Sequence, residues 1–213
     1  MSDLLETLPA VYPLHFFALS ADLSYLADHS HLSKNKYLLP STSQFLAEES
    51  FADVHMSWNQ EGVFLEIESH KPLEDVHYPD FRKGDSIELF FDTRDLKTTG
   101  FATRFCHHFV ILPKEVQGIK AQEITKFRAE DSHPLCDPDE ILIETTPTKK
   151  GFITRVGLPS SILYGFDPSS FDRLGFTYRI NRASNQPQHF AISSKQVTIE
   201  QQPALWASLK LTP

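Results

Sequence analysis

The chain has 213 residues, a formal net charge of −8 and 40% hydrophobic residues, among them 17 phenylalanines. That is length enough for one large all-β domain with a substantial core. The acidic balance, with no block of Lys and Arg, excludes a surface built to track nucleic-acid phosphates.

In chain order, residues 1–13 read as an N-terminal extension carrying Pro9 and Pro13, and residues 14–213 as a single domain. There is no Lys or Arg before residue 34, and the apolar run 11–19 is broken by Pro13 and His15. Neither a leader peptide nor a membrane span is predicted, and a cytoplasmic chain is expected. Residues 14–20 form a first strand candidate, 22–40 an irregular polar stretch, and 44–49 a short helical turn behind Ser41-Thr42-Ser43. Alternating strands follow at 52–58 and 63–69, joined by the turn signal Asn59-Gln60-Glu61-Gly62.

Lys83-Gly84-Asp85 then supplies a turn before the best-marked strand, 86–92. Ile87, Leu89 and Phe91 lie on one face and Ser86, Glu88 and Phe90 on the other, so the first face is core and the second at least partly covered. Further strands are predicted at 101–112, 122–128, 140–146, 152–158, 174–182 and 206–211, with a helical turn behind Pro159. About ten short strands and no long amphipathic helix mean an antiparallel β-sandwich or barrel.

Motifs for catalysis are missing. The eight glycines are spread singly, so no phosphate loop exists, and there is no G-x-S-x-G, C-x-x-C or H-E-x-x-H. Cys106 and Cys136 are too few for a disulfide framework, and free buried thiols are expected over a single bridge. His107 and His108 are neighbours on a strand and point to opposite faces. One is expected inside the sandwich and the other in solvent; a metal site there needs His77 or His55 as a partner. Glu66, Glu68 and Glu88 lie on neighbouring strand candidates, but nothing selects a glycosidase pair from them. The acidic run Asp131, Asp137, Asp139 and Glu140 reads as a solvated loop, without the ligand spacing of a calcium-binding EF-hand.

The order of segments carries more than any one motif. W-N-x-x-G-V-F-L-x-I is followed by K-G-D-S-I-E-L-F-F-D, H-H-F-V-I-L-P, K-K-G-F-I-T-R-V-G-L-P-S-S-I-L, L-G-F-T-Y-R-I-N-R and W-A-S-L-K-L. Over residues 51–211 this series resembles the family 9 carbohydrate-binding modules and the wider group sharing their fold, including DOMON-type domains. The resemblance implies an all-β, antiparallel sandwich of jelly-roll type with one or two short helical turns, acting as a non-catalytic binding module. It also implies a sugar held between two aromatic side chains. Tyr78 and Phe81 stand where the first aromatic is expected and Phe190 where the second is, both in place of tryptophan. Glu88, Arg104, Asn181 and Arg182 match the polar positions. Trp58 and Trp206 fall where the fold has structural aromatics. A haem-binding variant of the fold would use Met56 with a histidine.

Three functions follow as expectations. The first is a module for a carbohydrate or polyol with no cofactor. The second is a protein-interaction domain that has kept the fold and lost the sugar site, which the absent tryptophans favour. The third, prompted by ten histidines, is a metalloprotein or enzyme.

Overall fold

Short alternating runs closed by tight turns fold as hairpins, because each strand can bury one face only by pairing with its neighbour. The computed structural model describes residues 18–28, 32–128 and 130–213. The predicted extension, most of the strand at 14–20, and His29 and His31 lie outside the described residues.

Among the described residues, eleven strands form two sheets. They are β1 (Ser20–Ser24), β2 (Ala52–Asn59), β3 (Gly62–Ser69), β4 (Ser86–Asp92), β5 (Cys106–Val116), β6 (Ile119–Glu123), β7 (Leu142–Pro147), β8 (Phe152–Pro159), β9 (Arg173–Asn181), β10 (Gln188–His189) and β11 (Ala207–Thr212). The larger sheet runs β1-β11-β9-β4-β5-β6, with β10 added to β9; the smaller runs β2-β3-β8-β7. All pairs are antiparallel except β1 with β11, which is parallel, a departure from the all-antiparallel expectation. One helical turn, α1 (Ser43–Leu46), stands at 43–46. Among the described residues no helix is long and apolar enough to cross a membrane.

Several strand boundaries differ from the sequence reading, most clearly the two ends of β5 and both ends of β6, expected at 122–128 and found at Ile119–Glu123. Cys106, not residue 101, opens β5, because Thr103 turns the chain first: its carbonyl accepts from Cys106 N at 2.9 Å and its hydroxyl from Phe105 N at 3.3 Å. At its other end β5 runs on through Pro113 to Val116, past an irregularity in register. The turn therefore falls at Gln117 and Gly118, both at positive φ, and β6 starts at Ile119.

The two sheets bury one continuous apolar cluster between them. Ile87, Leu89 and Phe91 of β4 are 1%, 0% and 0% exposed. β4 lies between β5 and β9. Its other face is buried as well, with Ser86, Glu88 and Phe90 at 1%, 0% and 0%. The covering comes from the helical turn Phe81–Lys83 and from the chain leading to Trp206, whose ring lies 5.8 Å from that of Phe90. Both tryptophans are structural: Trp58 Nε1 donates to Leu23 O at 2.9 Å and Trp206 Nε1 to Ile199 O at 3.0 Å. Met56 is packed in the core, and Cys106 and Cys136 are free thiols.

The β2–β3 turn shows how the sequence fixes register. Asn59 Oδ1 accepts from Glu61 N at 2.8 Å, and Asn59 pairs with Gly62. Gly62 has φ +151°, and a Cβ there would lie 2.1 Å from Leu158 O on β8. Gly62→Ala is expected to cost roughly 2–3 kcal/mol, from strain and displacement of β8. Gly100→Ala, where a Cβ meets nothing within 4 Å, should change stability by less than about 0.5 kcal/mol. Urea unfolding of the two variants checks the contrast.

Candidate functional site

The outward face of β4, β5 and β9 carries a cluster that only the pleat brings together. Register places Glu88 opposite Arg179 on β9 and Val110 on β5, and Val110 opposite Gln122 on β6. Glu88 has no solvent exposure, so its charge must be matched on the spot. Arg179 Nε donates to Glu88 Oε1 at 2.6 Å, and Asn181 Nδ2 donates to the same oxygen at 2.8 Å. Arg179 Nη2 also lies 2.5 Å from that oxygen, held by charge but with no acceptor in line. Arg82 Nη2 donates to Oε2 at 2.9 Å, and His108 Nε2 sits 3.0 Å from that oxygen as donor. The His108 ring stacks on Phe90 at 4.2 Å, which fixes its orientation.

Arg82 links this buried carboxylate to the surface. Its side chain is 43% exposed, and its Nη2 also reaches Glu200 Oε1 at 3.2 Å. Burial alone would push the Arg82 guanidinium down, but the carboxylates of Glu88 and Glu200 outweigh it and hold it above its ordinary value. Above the cluster opens a cleft of about 330 Å³ lined by Arg82, Arg179 and residues 194–200. Two guanidiniums face two carboxylates within the cluster; exposed Lys195 adds one further positive charge to the cleft, and Ser194, Gln196 and Thr198 complete the polar lining.

The loop that walls the cleft is pinned by Glu48, from beside α1. His189 Nδ1 donates to Glu48 Oε1 at 2.9 Å, and Ser193 Oγ donates to the same oxygen at 2.8 Å. His189 Nε2, left as the acceptor, takes both the Ser194 hydroxyl at 2.9 Å and the Ser194 amide at 3.2 Å. The order Glu–His–Ser is that of a general-base relay, but the amide competes for the one lone pair a nucleophile would need. The chain of bonds serves as a loop anchor. Burial raises the Glu48 carboxyl, while hydrogen bonding and charge from His189, with Ser193, bring it to a net value below the ordinary 4.5.

Of the seven residues expected at the site, the structure brings three together. Glu88 and Asn181 are bonded directly, and Phe81 is tied in by Ser86, whose hydroxyl donates to Phe81 O at 2.7 Å and accepts from Asn181 at 3.0 Å. Tyr78 shares the face two strands away, its hydroxyl donating to Gln122. It borders a larger depression of about 690 Å³ at the β6 edge, with Ile119, Asp137 and Leu142. That depression is wider but lacks a buried charged anchor, so the smaller cleft is the better candidate for specific recognition.

The other three are elsewhere. Phe190 is fully buried and stacks on Tyr178 at 5.6 Å on the inward face, so it cannot wall an open groove. Arg182 points inward too, pairing with Asp85 at 3.2 Å and Glu74 at 2.7 Å as a clamp between loops. Arg104 precedes β5, at the end of the sheet away from Phe81, and is paired with Asp131. Glu88 is not solvent-facing, and neither His107 nor His108 is exposed, against the expectation of one in water. His55 is on β2 in the smaller sheet and joins neither. Sequence reading missed Arg82, Arg179 and Glu200. Arg179 was within reach, since it lies two residues before Asn181 and so on the same strand face.

With this geometry in view, the comparisons can be read. No family model matches the chain, and no curated relative is found by sequence. Solved structures do match. A family 9 carbohydrate-binding module from Caldicellulosiruptor kristjanssonii, in complex with cellotriose, superposes with TM-score 0.63 at 14% identity, over 90% of this chain and 93% of that one. A family 9 module of the same organism in complex with glucose gives 0.63 at 13%, over 91% and 95%. A Bacteroides uniformis protein, named only as a candidate carbohydrate-binding protein, gives 0.57 at 8%, over 91% and 98%. The fold is that of a family 9 carbohydrate-binding module. At these identities the likeness is one of fold, and the site must be argued from this chain's own residues.

Removing Glu88 strands two guanidiniums. Glu88→Ala is expected to destabilise by roughly 3–5 kcal/mol, more than Arg82→Ala, whose side chain reaches water, when both are unfolded in urea. For Glu48 the depressed carboxyl makes a stabilising contribution that is complete above pH 4.5 and lost as pH falls through its folded value. Glu48→Gln should therefore be less stable at neutral pH, with the gap to wild type closing below pH 4.5 in a pH series of thermal melts.

Proposed function

We propose that the chain is a non-catalytic binding module for a neutral carbohydrate, held in the cleft between Arg82 and residues 194–200. The observation that carries this reading is the Arg82–Glu88–Arg179 cluster opening into that cleft. A fully buried carboxylate fixes two guanidiniums, so their remaining N–H groups are held in place for ligand hydroxyls with little entropy left to lose. Both guanidiniums are already paired with carboxylates, which leaves their spare N–H groups for hydroxyls and, among the described residues, exposed Lys195 as the one unpaired cation of the lining. The cleft is at the small end for ligand sites, in keeping with one or two sugar rings. Phe81, beside Arg82, offers a π-face for sugar C–H groups, with the guanidinium carbon of Arg82 5.6 Å from its ring centre. Tyr78 and Gln122 extend the same face for a longer chain. The fold likeness to modules solved with cellotriose and glucose supports the substrate class.

A second reading rests on Phe190. With that ring in the core, stacking area for a sugar is reduced, and the same face would then meet a protein partner. The two separate on a glycan array backed by calorimetry. Under the first reading the wild type binds a defined glycan, Arg82→Ala weakens it at least about tenfold, and Arg104→Ala leaves it unchanged. An array with no binder, together with a partner captured through a photo-crosslinker at position 196, would favour the second.

A further inference from the structure

The inward edge of the larger sheet holds a second buried polar cluster, unconnected to the cleft. Glu123 of β6 is 1% exposed, His107 of β5 is 0% and His133, from the loop after β6, is 7%. Their ligand-type atoms lie within 4.8 Å of one another.

The hydrogen bonding of the two imidazoles does not close. His107 Nδ1 is 2.9 Å from Glu123 Oε1, and His107 Nε2 is 3.4 Å from Tyr164 O. His133 Nε2 is 3.0 Å from the same Glu123 oxygen, and its Nδ1 is 2.6 Å from Arg104 O. All four ring nitrogens therefore face carbonyl or carboxylate oxygens. A neutral imidazole has one N–H, so two lone pairs would point at oxygen. Protonating both rings would supply the hydrogens, but it would set two buried cations side by side, with ring centres 4.3 Å apart. The carboxylate is also supplied already, by Thr125 Oγ1 at 2.7 Å on Oε1 and Cys136 N at 2.9 Å on Oε2.

A cation between the rings resolves every contact. Each histidine would keep one N–H donated to a backbone carbonyl, Tyr164 or Arg104, and turn its other nitrogen to the metal. That is the outer-shell arrangement that orients metal-bound histidines. Ligand atoms around a tetrahedral ion at ~2.0–2.1 Å stand roughly 3.3 Å apart, so the observed 2.9 and 3.0 Å need open by only a few tenths of an ångström. The rings are held for this by their neighbours: His107 stacks on Phe109 at 5.6 Å, and His133 lies between Tyr164 at 5.6 Å and the edge of Phe127 at 4.8 Å.

We propose that His107 Nδ1, His133 Nε2 and Glu123 Oε1 form a buried zinc site. Two imidazole nitrogens and a carboxylate oxygen suit zinc, whose fourth position would fall to a water. Binding would tie the loop after β6 to β5.

The test uses the full chain, purified without chelator. About one zinc per chain is expected by elemental analysis. Chelation should lower Tm, and added Zn²⁺ should raise it again by at least about 4 °C. Co²⁺ in place of zinc should show the visible d–d bands of a four-coordinate ion. His133→Gln and His107→Gln should each weaken zinc at least about tenfold, and His70→Ala, an exposed control, should not. A wild-type chain without stoichiometric metal, whose Tm does not respond to Zn²⁺ or Co²⁺, would overturn the proposal. So would undiminished binding in the His107→Gln/His133→Gln double variant. If the histidine variants fail to fold, the wild-type chain decides: the Co²⁺ bands should appear with about one equivalent and be displaced by Zn²⁺, and their absence would overturn the proposal.

Discussion

Glu88 sits in mid-strand with no contact to water, and a carboxylate there survives only if its charge is answered by donors that are themselves fixed. Arg179 and Asn181 come from β9, His108 from β5 and Arg82 from the turn before β4. The donors come from both flanking strands and from the turn, so the correct register of three strands and one turn is needed to satisfy the carboxylate. A slip of one residue in any strand would send its donor to the opposite face. Buried ion pairs seldom add stability over a well-packed apolar alternative. The cluster is thus better understood as a device that fixes geometry than as a source of folding energy. What it fixes is Arg82 and Arg179, the two members that reach from the buried carboxylate to the cleft.

Much of the fold was legible because a strand with one buried face writes its period into the sequence. Ile87, Leu89 and Phe91, the β2–β3 hairpin and the return strand β8 all follow from alternation and turn residues. Boundaries failed where a local hydrogen bond overrode the pattern. The aromatic run after Gly100 looks like strand, yet Thr103 turns the chain first. Pro113 looks like a stop, yet β5 passes through it.

The site was less legible, for a physical reason. Strand alternation says which residues share a face of one strand, but not what lies across from it. Glu88 and Arg179 are 91 positions apart, and only the sheet order puts them side by side. Phe190 shows the converse. Its place soon after β9 suggested the sugar face, but β10 folds back antiparallel with Gln188 opposite Ile180. Continuing that register brings Phe190 against Tyr178, whose side chain belongs to the core. The clamp position had an aromatic, and the turn pointed it inward.

The pair His107-His108 joins these arguments. Adjacent residues of a strand must face apart, and here each meets a buried glutamate: His108 reaches Glu88 on the outward face and His107 reaches Glu123 on the inward one. Ten histidines in a chain without a recognisable metal motif look uninformative until the sheet is laid out. Then one dipeptide serves two polar clusters separated by the thickness of the sheet, and the difference between them is stoichiometric. Around Glu88 the donors are guanidiniums and an amide, so one histidine can donate its N–H to the carboxylate, and Arg179 Nη2 alone is left without an acceptor in line. Around Glu123 two imidazoles compete for one oxygen while carbonyls occupy their far sides, and the hydrogens run short. The same residue type thus completes a hydrogen-bond network on one face and, on the other, sets two imidazole nitrogens against one carboxylate oxygen, the mismatch on which the proposed metal site rests.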